Sequence, residues 1–267
     1  MTSLGAVSGW SSIPPAIHTV TPDGPLKYLA FHVVSIRSGG TTAFESRGQE
    51  LCLVVLEGEC DVRAYVEGRG DWVAVGGRRD AFDGAPVAYY ASAPAKVLVR
   101  SPHGAEIAVG MAAAAGGPPT RALPASEARR EVRGSGAMER TIHHILMEDQ
   151  PASSLLVTEV VTPAGHWSSY PPHKHDTDDP PRECLLEEIY YFRFRDPRAF
   201  GLMRVYTADR TLDESIAVRD RDLVLVPRGY HTFSAAPGYD AYYLNVMAGP
   251  RREWKITFDP DHERMRW

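Results

Sequence analysis

Cysteine is scarce in this chain. Three occur in 267 residues, Cys52, Cys60 and Cys184, an odd number at irregular spacing, which excludes a disulfide framework and fits a reducing compartment. No apolar run approaches the ~18 residues of a membrane-spanning helix, and Met1 to Thr19 carries neither a basic start nor a leader-like apolar stretch. The expectation is therefore a cytoplasmic protein with no membrane partner. A basic excess is also missing: 29 Lys and Arg against 34 Asp and Glu give a net charge of −5, which argues against a nucleic-acid partner. Glycine-rich phosphate loops and dinucleotide fingerprints are absent, as is the alternation of strands with long amphipathic helices that a doubly wound fold requires.

What the chain does have is short β-branched and aromatic runs separated by turn formers. In the first half these are 28-YLAFHVVSI-36, 51-LCLVVLEG-58, 60-CDVRAYV-66, 96-KVLVRS-101 and 106-EIAVGM-111. In the second they are 141-TIHHILM-147, 154-SLLVTEVVT-162, 185-LLEEIYYFRF-194, 201-GLMRVYT-207, 222-DLVLVP-227 and 241-AYYLNVMAG-249. Frequent short strands predict an all-β sandwich or barrel. Between the halves, residues 112–140 shift to small residues, Pro and then charge, predicting a linker with one helix over Ala125 to Val132. The expected domains are 1–125 and 126–267, and the similar openings 50-ELCLVVLEG-58 and 187-EEIYYFRF-194 suggest a duplicated barrel.

The chemistry concentrates in the second half. His173 and His175 stand two apart after Pro171 and Pro172; proline favours extended backbone, and on a strand such a pair leaves one face together. Downstream, Glu187 and Glu188 open a strand, so one of these carboxylates can approach from a neighbour. Later, 222-DLVLVPRGYHTF-233 ends a strand at Pro227, turns at Gly229 and presents His231. Three imidazoles and a carboxylate suit one divalent first-row ion, whether zinc, manganese, iron, nickel or cobalt, with positions left open for water or substrate. His143 and His144 lack a partner motif and read as structural, His103 and His262 as loop residues, and Cys184 as a small packed side chain.

His-x-His, then Glu, then a strand-end His resembles the cupin superfamily of β-barrels. The segments 165-GHWSSYPPHKHD-176, 187-EEIYYFR-193, 203-MRVYT-207, 225-LVPRGYH-231, 242-YYLNVMAGP-250 and 259-DPDHE-263 resemble, more narrowly, the 5-deoxy-glucuronate isomerase family of inositol catabolism, itself related to the 5-keto-4-deoxyuronate isomerases. This resemblance implies a bicupin of two tandem double-stranded β-helix barrels. The first would be a degenerate barrel without metal histidines, since 48-GQELCLVVLEG-58 has no His-x-His before it. The second would hold one divalent metal per chain. It also selects Glu188 over Glu187 as the ligand beside His173, His175 and His231, with Tyr190 and Phe192 inward; Phe192 stands where the family commonly has His.

The implied reaction converts 5-deoxy-D-glucuronate to 5-dehydro-2-deoxy-D-gluconate, moving a proton from C2 to C1 through an enediolate. Such chemistry needs a base at carbon and stabilisation of oxygen charge. Tyr190, Tyr243 or a metal-bound hydroxide are the candidates for proton transfer, and Arg204, preferred over Arg193, for binding the sugar carboxylate. The partner is thus a small uronate-type sugar, and a homo-oligomer is expected. A metal-dependent oxygenase and a non-catalytic sugar-binding barrel are the alternatives on the same ligand set.

Overall fold

The computed structural model describes residues 18–20, 26–46, 48–65 and 70–266, the first three as backbone only. They are all-β. Helical structure among them is limited to three 3-10 turns, and no helix is long and apolar enough to cross a membrane. Two compact units are formed: one takes in the described chain up to Arg129 together with His143–Val157, the other Arg130–Ile142 and the chain from Thr158 on.

In the first unit, the strand Gln49–Tyr65 organises the sheet. Its early residues pair with Ala105–Ala113 and Ala88–Ala91, its later ones with Val73–Arg78 and Ala95–Ser101. The two runs expected at 51–58 and 60–66 are thus one bulged strand, and Val66 lies outside the described residues. Gly58 makes the continuity possible, because it takes φ +79° and a Cβ there would lie 2.1 Å from the Gly104 carbonyl oxygen. Leu51, Leu53 and Val55 point into a core shared with Val97, Val99, Ile107 and Val109. Strands at Gly40–Ser46, Val73–Arg78 and Ala88–Ala91 lie outside the expected runs; each is short or interrupted and draws its hydrogen bonds from a segment elsewhere in the chain.

Buried Glu50 explains why His143–Val157 belongs to this unit. Its carboxylate accepts hydrogen bonds from Tyr90 OH at 2.6 Å, Ser153 N at 2.8 Å, Ser154 N at 2.6 Å and Leu155 N at 2.6 Å. Four donors, three of them backbone amides, replace the water that a buried carboxylate loses.

The helix expected over Ala125 to Val132 does not form. A 3-10 turn at Ala125–Glu127 follows Pro124, and Arg129–Arg133 is a strand. An eight-residue segment with proline before it and Gly134 (φ +84°) after it is too short to recover the cost of helix nucleation, whereas a strand draws its hydrogen bonds from a neighbour.

The second unit is built on two sheets. One includes Leu156–Thr162, Ala241–Ala248, Glu187–Phe194 and Leu223–Val226 in that spatial order; the other runs Asp213–Arg219, Phe200–Tyr206, Tyr230–Ala235, Trp167–Lys174 and Thr257–Phe258. The first of these orders repeats the first unit, where Leu29–Ile36, Ala105–Ala113, Gln49–Tyr65 and Ala88–Ala91 neighbour one another in the same way. Ile142, Val160, Tyr190, Phe192, Val205, Val224, Phe233 and Tyr243 pack together in its core.

Candidate metal centre

His173 lies within the strand Trp167–Lys174 and is paired with both His231 and Phe258. His175 follows one residue beyond its end. Across the sheet, the turn 227–229 delivers His231; Gly229 adopts φ +96°, and a Cβ there would meet the Tyr206 carbonyl oxygen at 2.9 Å. Asp176 Oδ2 accepts from the Gly229 amide at 2.8 Å, tying this turn to the histidine strand, while its Oδ1 and Glu183 Oε1 grip Lys174 Nζ at 2.6 and 2.8 Å. The three ring-nitrogen ligand atoms of His173, His175 and His231 lie within 4.8 Å of one another, and all three residues are buried.

Backbone carbonyls set the tautomers. Leu186 O lies 2.8 Å from His175 Nδ1 and Gly229 O lies 3.1 Å from His231 Nδ1, so each Nδ1–H donates outward and each Nε2 turns toward the cluster. Both Nε2 atoms lie 3.1 Å from Glu188 Oε2. For His175 this is a hydrogen bond, whereas the buried His231 Nε2 has no hydrogen bond of good geometry. A buried nitrogen lone pair aimed at two imidazoles and a carboxylate is the donor set that a divalent cation completes. The residues present therefore fit a metal ion.

Charge within the cluster is strongly coupled. Burial, reinforced by His231 and His175, holds His173 well below the ordinary imidazole pKa. Burial alone would lower His175 too, but the hydrogen bond and charge of Glu188 outweigh it and raise its pKa. Glu188 is buried as well, yet the His175 hydrogen bond and the two neighbouring imidazoles drive it below the usual carboxylate range. Beside it, Tyr190 OH lies 3.1 Å and Tyr243 OH 3.4 Å from Ser169 Oγ. Burial pushes both phenols above their ordinary value, Tyr190 further because of the nearby Glu188 charge, so both keep their protons at neutral pH. Glu188, Tyr190 and Phe192 share the inward face; Glu187 lies on the other, which is also buried at Ile189 and Tyr191.

Arg204 is not brought to this place, a correction to the sequence reading. Its neighbour Val205 is the residue opposite His231, while Arg204 is opposite Thr232, and alternation sends it to the other face. There it holds Asp213 at 2.9 Å and stacks 4.6 Å from the Tyr206 ring. Arg193 is likewise occupied, by Asp220 at 3.1 Å. Sequence reasoning also missed Ser169 and Arg140. Ser169 takes φ +50°, sits at a break in strand register between Ser168 and His173, and had no motif to announce it. Arg140 falls in the expected linker, since the apolar run starts at Thr141; alternation with Ile142 is the available signal.

A family model described as the KduI/IolB family matches residues 9–265. The chain is 47% identical over 246 residues to a 5-deoxy-glucuronate isomerase of Geobacillus kaustophilus, covering 91% of this chain and 88% of that one. A crystal structure of an IolB-like protein from Salmonella typhimurium LT2 superposes with a TM-score of 0.93 at 39% identity, covering 98% and 99% of the two chains. An oxalate decarboxylase from Lactobacillus farciminis superposes with a TM-score of 0.66 at 12% identity, covering 95% and 89%; that likeness concerns the fold alone.

Proposed function

Because the chain belongs to the KduI/IolB family, we infer that it is a 5-deoxy-glucuronate isomerase, converting 5-deoxy-D-glucuronate to 5-dehydro-2-deoxy-D-gluconate. The observation that carries this reading is the 47% identity to an isomerase over 91% of the chain. We read the architecture as a bicupin in which the unit bearing His173, His175, Glu188 and His231 is catalytic and the other is structural. Among the described residues the one cluster of candidate ligands lies in that second unit, which supports one divalent ion per chain. Three buried cysteines, none of them in a disulfide, accord with a reducing cytoplasm.

The four side chains would hold the ion, which supplies Lewis-acid stabilisation of the charge that develops on the substrate oxygens. Tyr190 and Tyr243 serve the oxygen half of the isomerisation. As the carbon-bound proton passes from C2 to C1, one proton must also leave O2 and one must reach O1. A neutral phenol can donate to O1 as it accepts from O2, which limits the charge left for the ion to stabilise. Ser169 orients both phenols, and the rings of Trp254 and Phe258, 6.5 and 6.2 Å from that of His173, shield the cluster from water. Tyr190→Phe is expected to lower kcat by about 10²-fold or more with metal content unchanged; an unaltered kcat would remove Tyr190 from the mechanism.

The decisive experiment is incubation of the metal-loaded protein with 5-deoxy-D-glucuronate, following the ketose by NMR. Absence of turnover in fully loaded protein would refute the reading. A second measurement tests the ligand set. The pKa of His175 is raised in the metal-free protein, so it carries a proton to higher pH than an ordinary imidazole, and that proton must leave when an ion binds. Metal loading at neutral pH should therefore release protons, and apparent affinity should fall as pH drops through the raised pKa. Calorimetry in buffers of different ionisation enthalpy reads this directly; an affinity flat between pH 5 and 7 would exclude His175 as a ligand.

A further inference from the structure

With Arg204 and Arg193 turned to other partners, the isomerase reading leaves the substrate carboxylate without a receptor. We propose that Arg140 binds this carboxylate and is the residue by which the enzyme selects uronates over neutral aldoses.

Position comes first. Arg140 opens the strand Arg140–Leu146 and lies two residues before Ile142, hence on the same face. Ile142 packs in the interior with Tyr190, Phe192 and Tyr243, so Arg140 faces the same interior and is itself only 4% exposed. Its guanidinium donates from Nη1 to Met138 O at 2.9 Å and from Nη2 toward Tyr170 O at 3.5 Å. Tyr170 directly follows Ser169 and stands three residues before His173. The fork is thus held beside the tyrosine and histidine cluster, and its charge acts on both His173 and Tyr243.

Chemistry points the same way. The reacting carbons C1 and C2 belong at the metal ligands, and the carboxylate is at the opposite end of the six-carbon chain. Its partner must therefore lie next to the cluster, outside the ligand set, as Arg140 does. Guanidinium matches a carboxylate with two parallel hydrogen bonds, and a desolvated setting strengthens them. Burial pulls the Arg140 pKa down to about 10, so the group remains cationic at neutral pH. The nearby Arg133 is held by Glu131 at 2.6 and 2.9 Å, which leaves it no comparable role.

This inference rests on the isomerase reading, and the experiment separates the two. Turnover of 5-deoxy-D-glucuronate and of the neutral aldose with hydroxymethyl in place of carboxylate is measured for wild type, Arg140→Lys, Arg140→Gln and the control Arg204→Gln. Competitive inhibition by D-glucuronate and D-glucose supplies the same comparison where turnover of the neutral sugar is too slow to measure. Arg140→Gln should raise KM for the uronate roughly thirtyfold or more, leave the neutral sugar's kinetics or inhibition within about twofold, and so erase the preference for the charged compound. Arg140→Lys, which keeps the charge and protects the fold, should lose about tenfold as the fork becomes a point charge. Arg204→Gln should keep the wild-type preference. Equal losses on charged and neutral sugars in a folded, metal-loaded Arg140→Lys protein would overturn the proposal. Failure of the wild type to isomerise the uronate would instead overturn the isomerase reading.

Discussion

Replacing His173 and His175 together by alanine should strip the protein of its metal and lower kcat/KM by at least about 10³-fold. The two residues supply two of the three convergent imidazoles, and His231 with Glu188 alone is a poor first-row site. The expected loss differs from unfolding in a measurable way. In the wild type, added divalent metal should raise the melting temperature, because a ligand that binds only the native state stabilises it by mass action. In the double variant that increment should vanish, and the metal-free melting temperature should fall as well, since Glu188 loses the imidazole that hydrogen-bonds it. Metal analysis, melting with and without metal, and turnover together test this. Retention of stoichiometric metal by the double variant would show that the ion sits elsewhere.

The second large effect concerns stability in the other unit. Glu50→Ala should destabilise the protein by about 3 kcal/mol, because it leaves the Tyr90 hydroxyl and the Ser153, Ser154 and Leu155 amides without their common acceptor. Burial and the Glu50 charge hold the Tyr90 phenol in its protonated, donating form, so the loss extends across the neutral range. Leu155 is fully buried and contributes most, as water cannot reach its amide. Ser153 and Ser154 retain side-chain bonds to Gly116 O and Ala113 O at 3.0 and 2.7 Å, which keeps the segment from detaching outright. Denaturant unfolding should show the drop, and amide hydrogen exchange should show it concentrated at residues 153–155. Exchange there as slow as in wild type would mean that these amides find another acceptor.

Three of the four proposed ligands, the histidines, were legible because each has a local cause. A two-residue spacing after a pair of prolines places His173 and His175 together on extended chain, and a strand ending in Pro227 and Gly229 presents His231 at a turn. Family resemblance then separated Glu188 from Glu187, which spacing could not do. The general β-rich character followed from short runs of β-branched and aromatic residues. Where those runs were weak, as at Gly40–Ser46 and Asp213–Arg219, the strands went unseen, because their stability comes from pairing with distant segments. The charged stretch after Pro124 looked helical by composition and became a strand for the same reason.

The arginines mark the boundary most sharply. Arg204 and Tyr206 share a strand face by alternation, and that much was correct. Which of the two faces carries the histidines depends on the register that sets Val205 opposite His231, and register is a property of two segments at once. Arg140, thirty-three residues before His173 in sequence, reaches the site because its strand lines the same interior as Tyr243. Glu50 likewise meets amides more than a hundred residues away. The kinds of ligand, their spacing and the β character were therefore written in the amino-acid sequence, where neighbouring residues act on one another directly. Tertiary structure alone decided which cation stands beside the ligands and which carboxylate is an anchor, because both depend on how separate strands face one another.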